Sequence, residues 1–288
     1  MSSLMVTKDT GELLFDTRRI CYGLVKSGYL VANETWPRKY LRGTNLDPNQ
    51  GSSYQDSFRA GDQMFAVGVT NARSPIVFIV GKGCLQGTWR SGNSVSFLYS
   101  AASTGTKAYV FDLMADNLAG SPFLKTYTDQ GVCTFNSLQP PLNIVATVGA
   151  PGPGGQDQFG RYPAPYAGGW WEVIRHQNAG IDPQAHFVTN IGLASGVEYA
   201  ACLPWSRTGT GFWAQELTGV NPQAIGMSEG AYGRVGGISF IFGPAGATTQ
   251  ISLASNDYSI PGAIGGLPVD RYPQALVVRT SNLPFPYN

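Results

Sequence analysis

The 288-residue chain sets 19 Lys and Arg against 18 Asp and Glu, a net charge of +1, and only 13% of it is charged. About a quarter is usual, so no excess of positive charge steers the chain toward DNA or RNA, while 43% hydrophobic residues exclude a disordered composition. The 37 Gly and 19 Pro point to short strands joined by many turns, and the low charge points to surfaces that partners cover or that read neutral ligands.

The opening "MSSLMVTKDTGELLF" carries Lys8, Asp9 and Glu12 and no apolar core of a signal peptide. Apolar runs such as Ile76–Val80 are too short to span a bilayer. The expectation is a soluble chain made in a cytoplasm, with no membrane insertion. Residues 9–17, "DTGELLFDT", read as a tight polar hairpin around Asp9, Thr10 and Gly11. Residues 31–60 read as a long irregular loop, a length that is usually functional or packs on a neighbour. Strand patterns then follow at 63–70, 75–81, 94–100, 107–113, 123–129, 132–137 and 142–148. "NARSP", "GKG", "RSGN" and "STGT" separate the earlier ones.

Residues 149–168 are dense in Pro and Gly and mark a boundary. Strand patterns resume at 169–176, 185–191, 197–205, 211–217, 236–243, 248–255 and 274–281. The expected fold is all-β: two β-sandwich-like domains with long irregular loops and almost no helix. One would span 1–150, a linker 151–168, and the other 169–288. One continuous sheet system shared by both halves is the alternative.

The opening hairpin recurs. In "TDQGVCTFNS", residues 128–137, Asp129, Gly131, Phe135, Asn136 and Ser137 stand where Asp9, Gly11, Phe15, Asp16 and Thr17 stand, and Leu124 stands where Leu4 does. The Gly allows positive φ in the turn, the Phe points inward, and the polar pair ends the strand by bonding local backbone. The two segments should form superposable hairpins. Cys133 replaces Leu13, as a small buried hydrophobe does.

These stretches, "LMVTKDTGELLFDT", "AYVFDLM" (108–114) and "LKTYTDQGVCTFNS", resemble the small tail proteins of long-tailed bacteriophages. That family begins with a G-L-x-V segment running to G-x-x-x-F-D-S, has a strand built on V-F-D, and repeats the first segment further on. The resemblance covers roughly residues 1–149. The leading Gly-Leu pair is missing here, and the second copy ends in Asn136-Ser137. Residues 169–288 match nothing in the family. The resemblance implies a virion protein of the tail tip, baseplate or fibre, folded in the host cytoplasm and acting in tail assembly and host adsorption. Its partners would be other tail proteins and copies of itself about a three-fold or six-fold axis, and a host-surface glycan or protein. It implies no catalytic residue and no cofactor.

The chemical motifs agree with a non-enzymatic reading. "GMSEG" (226–230) fits G-x-S-x-G, but an α/β-hydrolase needs Asp or Glu and then His after Ser228, on a strand-to-helix turn. Both histidines, His176 and His186, precede it, and the segment reads as a polar loop. The histidines flank Asp182 without metal-ligand spacing. Residues 45–56 offer Asn45, Asp47, Asn49 and Asp56 in half a calcium loop, but Gln50 stands where Gly is needed and Pro48 stiffens it. Cys21, Cys84, Cys133 and Cys202 are widely spaced and read as free thiols.

The aromatic residues carry the binding expectations. Trp36, Tyr40, Tyr54, Phe285 and Tyr287 lie on segments suited to draping over a neighbour and are the interface candidates. Trp170, Trp171, Trp205 and Trp213 are candidates for stacking on a sugar, which makes a β-sandwich carbohydrate-binding module the alternative function. A hydrolase using Ser228 is the remaining one.

Overall fold

The computed structural model describes residues 5–7, 9–11, 13–16, 19–41, 54–175, 184–213, 224–246, 249–250 and 261–288. Within them the fold is all-β. In chain order the strands are β1 (Met5–Thr7), β2 (Leu13–Asp16), β3 (Tyr22–Tyr29), β4 (Val31–Leu41), β5 (Tyr54–Thr70), β6 (Ile76–Val80), β7 (Cys84–Ser91), β8 (Ser94–Ser100) and β9 (Lys107–Leu113). They continue with β10 (Lys125–Tyr127), β11 (Cys133–Asn136), β12 (Ala146–Gly149), β13 (Trp170–Arg175), β14 (Gln184–Gly192), β15 (Tyr199–Cys202) and β16 (Thr208–Trp213). The last are β17 (Ala224–Arg234), β18 (Gly237–Pro244), β19 (Thr249–Gln250), β20 (Pro261–Gly265) and β21 (Gln274–Arg279).

A large sheet runs β12-β21-β15-β6-β17-β18-β14-β13, with β9 and β3 extending from β6, and β16 and β20 from β17. A smaller sheet runs β19-β4-β5-β8-β7. The sheets face each other across one core. Val67 of β5 and Phe97 and Tyr99 of β8 pack there with Val77 and Ile79 of β6 and Ile241 of β18. On the other face of the large sheet, Phe187, Phe240 and Phe242 form a second core with Tyr166. Strands buried on both faces lack the two-residue alternation of half-exposed strands, which is why "GISFIFGP" of β18 is apolar almost throughout and buried at every position. Truncating any one of these Phe side chains to Ala costs about 3–5 kcal/mol in such a setting.

Residues 151–168 do not divide the chain into separate sheets. β6, from the first half of the chain, pairs along its length with β9 and also meets β15 at Ala201↔Ile79 and β17 at Gly233↔Val80. β12 lies against β21. The Pro/Gly-rich segment is a strap rather than a free linker: Tyr166 is fully buried, and Tyr162 bridges to Ile264. Its lack of periodicity reflects packing through isolated anchors instead of a ladder.

Two further expectations change. Of residues 31–60, which read as irregular, 31–41 and 54–60 belong to β4 and β5, an antiparallel ribbon with register shifts near Pro37, while 42–53 lie outside the described residues. The ribbon encloses a bidentate pair: Arg38 Nε and Nη2 donate to Asp62 Oδ2 and Oδ1 at 3.0 and 2.8 Å. Polar side chains hid the start of β4 because residues 31–35 face solvent. "GMSEG", read as a loop, lies inside β17. Its glycines look like turn signals but permit close packing of backbones. A Cβ on Gly233 would sit 1.7 Å from the Tyr199 carbonyl oxygen.

The duplicated hairpins have one geometry. β1 and β2 pair as Met5↔Asp16, Val6↔Phe15 and Thr7↔Leu13. β10 and β11 pair as Lys125↔Asn136, Thr126↔Phe135 and Tyr127↔Cys133, with the register shift at the equivalent place. Gly11 and Gly131 take φ of 82° and 77°, the left-handed region that Gly enters without penalty. The second hairpin is tied to the body by Cys21 N–H donating to the Thr134 carbonyl at 2.8 Å and by Asn136 Nδ2 donating to the Ala115 carbonyl at 2.8 Å.

Candidate functional site

Where β6, β15 and β17 of the large sheet face β7 and β8 of the smaller one, the two layers leave a cleft of about 360 Å³. Ile79 of β6, Leu85 of β7, Phe97 and Tyr99 of β8, and Leu203 and Trp205 after β15 form its walls. Trp205 is 45% exposed. β17 comes close at Gly230, where a Cβ would meet the Gly83 carbonyl oxygen at 2.5 Å. Tyr99 is only 4% exposed, but its hydroxyl, which no described residue partners, still reaches solvent. Burial, with the Cys202 thiol nearby, holds that phenol well above its ordinary pKa. Burial likewise pushes the Cys202 thiol up to about 12. Both wall groups are therefore neutral at physiological pH.

Glu229 also contributes to the cleft wall, but its carboxylate is closed off. Arg207 donates from Nε to Oε2 at 2.9 Å and from Nη2 to Oε1 at 2.7 Å. The Arg207 backbone N–H adds a bond to Oε2 at 3.1 Å, and the Tyr166 hydroxyl adds one to Oε1 at 2.8 Å. Burial works against the Arg207 charge, but the hydrogen bonds and charge of Glu229 more than offset it and hold the guanidinium above its ordinary pKa. Tyr166, Phe242 and Tyr272 surround the guanidinium. The cleft thus presents no unpaired charge.

Ser228 is drawn into a buried polar patch that sequence reasoning did not foresee. Gln86 Nε2 donates to Ser228 Oγ at 2.6 Å, and Ser228 bonds the Cys84 thiol, which burial pushes up to about 12. Gly243 faces Ser228 across the ladder, and His186 lies beyond it: a Cβ on Gly243 would be 3.3 Å from Cys84 Sγ and 3.6 Å from His186 Cδ2. His186 does not hydrogen-bond to Ser228; both its ring nitrogens are buried without a partner. Nor does Ser228 stand on a strand-to-helix turn. The register that joins these residues pairs strands distant in sequence, so no local motif announced it.

His186 yields a pH prediction. Burial, reinforced by the Lys82 charge, pushes its pKa down from 6.5 to about 3. Above pH 6.5 the imidazole is neutral whether the chain is folded or not. As pH falls toward 3, the unfolded chain takes up a proton that the folded chain refuses, so stability is lost, by up to about 1.4 kcal/mol per pH unit. Between pH 7.5 and 5 the wild type should lose about 2 kcal/mol more than His186→Leu, read from urea unfolding at both pH values.

All four cysteines are free. Thiol titration in denaturant without reductant should count four, and Cys84 and Cys202 should be the slow reactors in the native protein. A lower count in fresh protein would point to a cross-link.

Of the stacking candidates, Trp205 lines the cleft. Trp170 is exposed on β13, and Trp171 packs edge-on against Phe187 at 5.2 Å. The Trp213 side chain lies outside the described residues, as do the side chains of Tyr40, Tyr54 and Asp56 and the whole of Asn45, Asp47, Asn49 and His176. Trp36 is half-buried, its Nε1 donating to Glu34 at 2.9 Å. The C-terminal segment builds internal core: Phe285 packs against Tyr29 and Tyr109, and Tyr287 bridges to Ser27. Most of the apolar surface left open on the second hairpin escaped the sequence reading. Phe123 there is 95% exposed, with Leu124, Tyr127 and Val132 also exposed. Its only signal is that these residues flank the repeat. Among the described residues no cluster of three metal-ligating side chains occurs, and no helix is long and apolar enough to cross a membrane. No protein family, no characterised protein and no solved structure matches this chain.

Proposed function

We propose that this chain is a non-enzymatic structural and interaction protein of a bacteriophage tail tip or baseplate, acting in tail assembly and host adsorption. The observation that carries the reading is the duplicated hairpin. Two segments that resemble the tail-protein signature fold with one register, one irregularity and one positive-φ glycine each. The second displays an apolar surface that suits contact with another tail protein or another copy. Such a protein folds in the host cytoplasm and resides in the virion tail. Mass spectrometry of purified particles, with immunogold microscopy against this chain, tests the proposal. Label at the distal end of the tail is the expected result; absence of the chain from intact particles rejects it.

The exposed indoles of Trp170 and Trp205 also suit a carbohydrate-binding module, with a sugar stacked at the surface rather than held inside the apolar cleft. Binding on a glycan array that Trp205→Ala abolishes would favour that reading.

A further inference from the structure

The cleft differs from a packing defect in one respect. A well-filled core leaves few voids larger than a water molecule, and small-molecule sites are concave, mostly apolar volumes of roughly 300–1,000 Å³ with a few placed polar groups. The space between β6, β15, β17 and β8 meets that description, at about 360 Å³. Its walls are aliphatic and aromatic. Among its side chains, Tyr99 alone is almost fully buried and also carries a hydrogen-bonding hydroxyl without a partner. The oxygen itself is not closed off from solvent, so a molecule in the cleft, or water, is what can take its hydrogen bond.

We propose that this cleft binds a small neutral molecule, apolar over most of its surface, whose single accepting oxygen takes a hydrogen bond from the Tyr99 hydroxyl. Charge complementarity sets the class. Glu229, the acidic residue of the wall, is engaged by Arg207 and Tyr166, so nothing remains to hold a cation. Arg207 is committed to Glu229 and to the Pro268 carbonyl, so nothing remains to hold an anion. A sugar, with a hydroxyl on nearly every carbon, would leave most of its polar groups unmet against Ile79, Leu85, Phe97 and Leu203. A ring or branched hydrocarbon bearing one carbonyl satisfies every feature, and Trp205 supplies a flat face at the rim.

The test titrates the full chain with 2-acetonaphthone and with 2-ethylnaphthalene, which are similar in shape and differ in the carbonyl. Calorimetry and tryptophan fluorescence are the readouts. Both should bind, the ketone about five-fold tighter, the ratio expected of one net hydrogen bond. Tyr99→Phe should abolish the ketone's advantage and leave the hydrocarbon's affinity unchanged. Because the lost hydroxyl has no protein partner, the variant should fold as the wild type does. Trp205→Ala should weaken both probes and remove most of the fluorescence response. Three results would overturn the proposal: neither probe binds up to its solubility, the ketone keeps its advantage in Tyr99→Phe, or the probes bind only after Phe123→Ser breaks up a self-associated protein. The last would mean that a second copy fills the cleft. None of these outcomes bears on whether the chain resides in a phage tail.

Discussion

Replacing Arg207 with methionine should destabilise the fold by about 3–5 kcal/mol, the cost of removing one partner from a buried ion pair. Arg207 and Glu229 are both essentially inaccessible to water. Without the guanidinium, the Glu229 carboxylate keeps only the Tyr166 hydroxyl and one backbone N–H for compensation. Arg207 also fills space among Tyr166, Phe242 and Tyr272, and a methionine stem recovers some of that packing, so most of the loss should be electrostatic. The double variant Arg207→Met/Glu229→Leu separates the two contributions. It should regain much of the stability, since an apolar pair of similar volume often matches a buried ion pair. Urea unfolding monitored by tryptophan fluorescence measures both, with the midpoint moving and the slope unchanged. A single variant within about 1 kcal/mol of the wild type would mean that water reaches the pair.

Gly233→Ala should be worse. Its Cβ would lie 1.7 Å from the Tyr199 oxygen, 2.3 Å from the Tyr199 carbonyl carbon and 2.6 Å from Ala200 Cα. All three are backbone atoms of β15, so no side chain can swing aside. Relief requires β15 to draw away from β17 where Gly81 N–H also bonds the Gly233 carbonyl at 3.0 Å, opening the junction of the large sheet. The expected loss exceeds about 4 kcal/mol, and the variant should accumulate as insoluble protein. Gly149→Ala on β12 is the control, since nothing lies within 4 Å of its added Cβ; it should stay within about 0.5 kcal/mol of the wild type. Soluble, cooperatively folding Gly233→Ala protein would show that the two strands can separate cheaply.

Legibility in the sequence followed local chemistry. "KAYVFDL" and "SVSFLYS" read as strands because apolar runs were bracketed by turn residues, and they are β9 and β8 to the residue. The hairpin repeat was legible because a turn with positive φ admits few residue types, and Gly11 and Gly131 stand at equivalent places. β17 was not legible, because its glycines serve the neighbouring backbones rather than its own conformation. The cleft was only partly legible. Trp205 stood out as one of the aromatic residues concentrated in the second half of the chain, whereas Tyr99 looked like any residue of a buried strand. Its unpartnered hydroxyl exists only because strands far apart in sequence meet around it.

The seam at β6 also governs when this protein can come into being. A ribosome releases residues 76–80 well before residues 199–234, yet both groups of strands meet in one sheet. The nascent first half can pair β6 with β9, complete at residue 113, and then must wait, with its remaining backbone edge uncovered, until β15 arrives at residue 201, 88 residues later. Pairings so distant make folding slow, and an uncovered edge is a template for joining another chain. Synthesis halted near residue 150 should therefore yield aggregates rather than a folded fragment, and crowded production inside a cell would favour a chaperone that shields this edge until the last strands arrive.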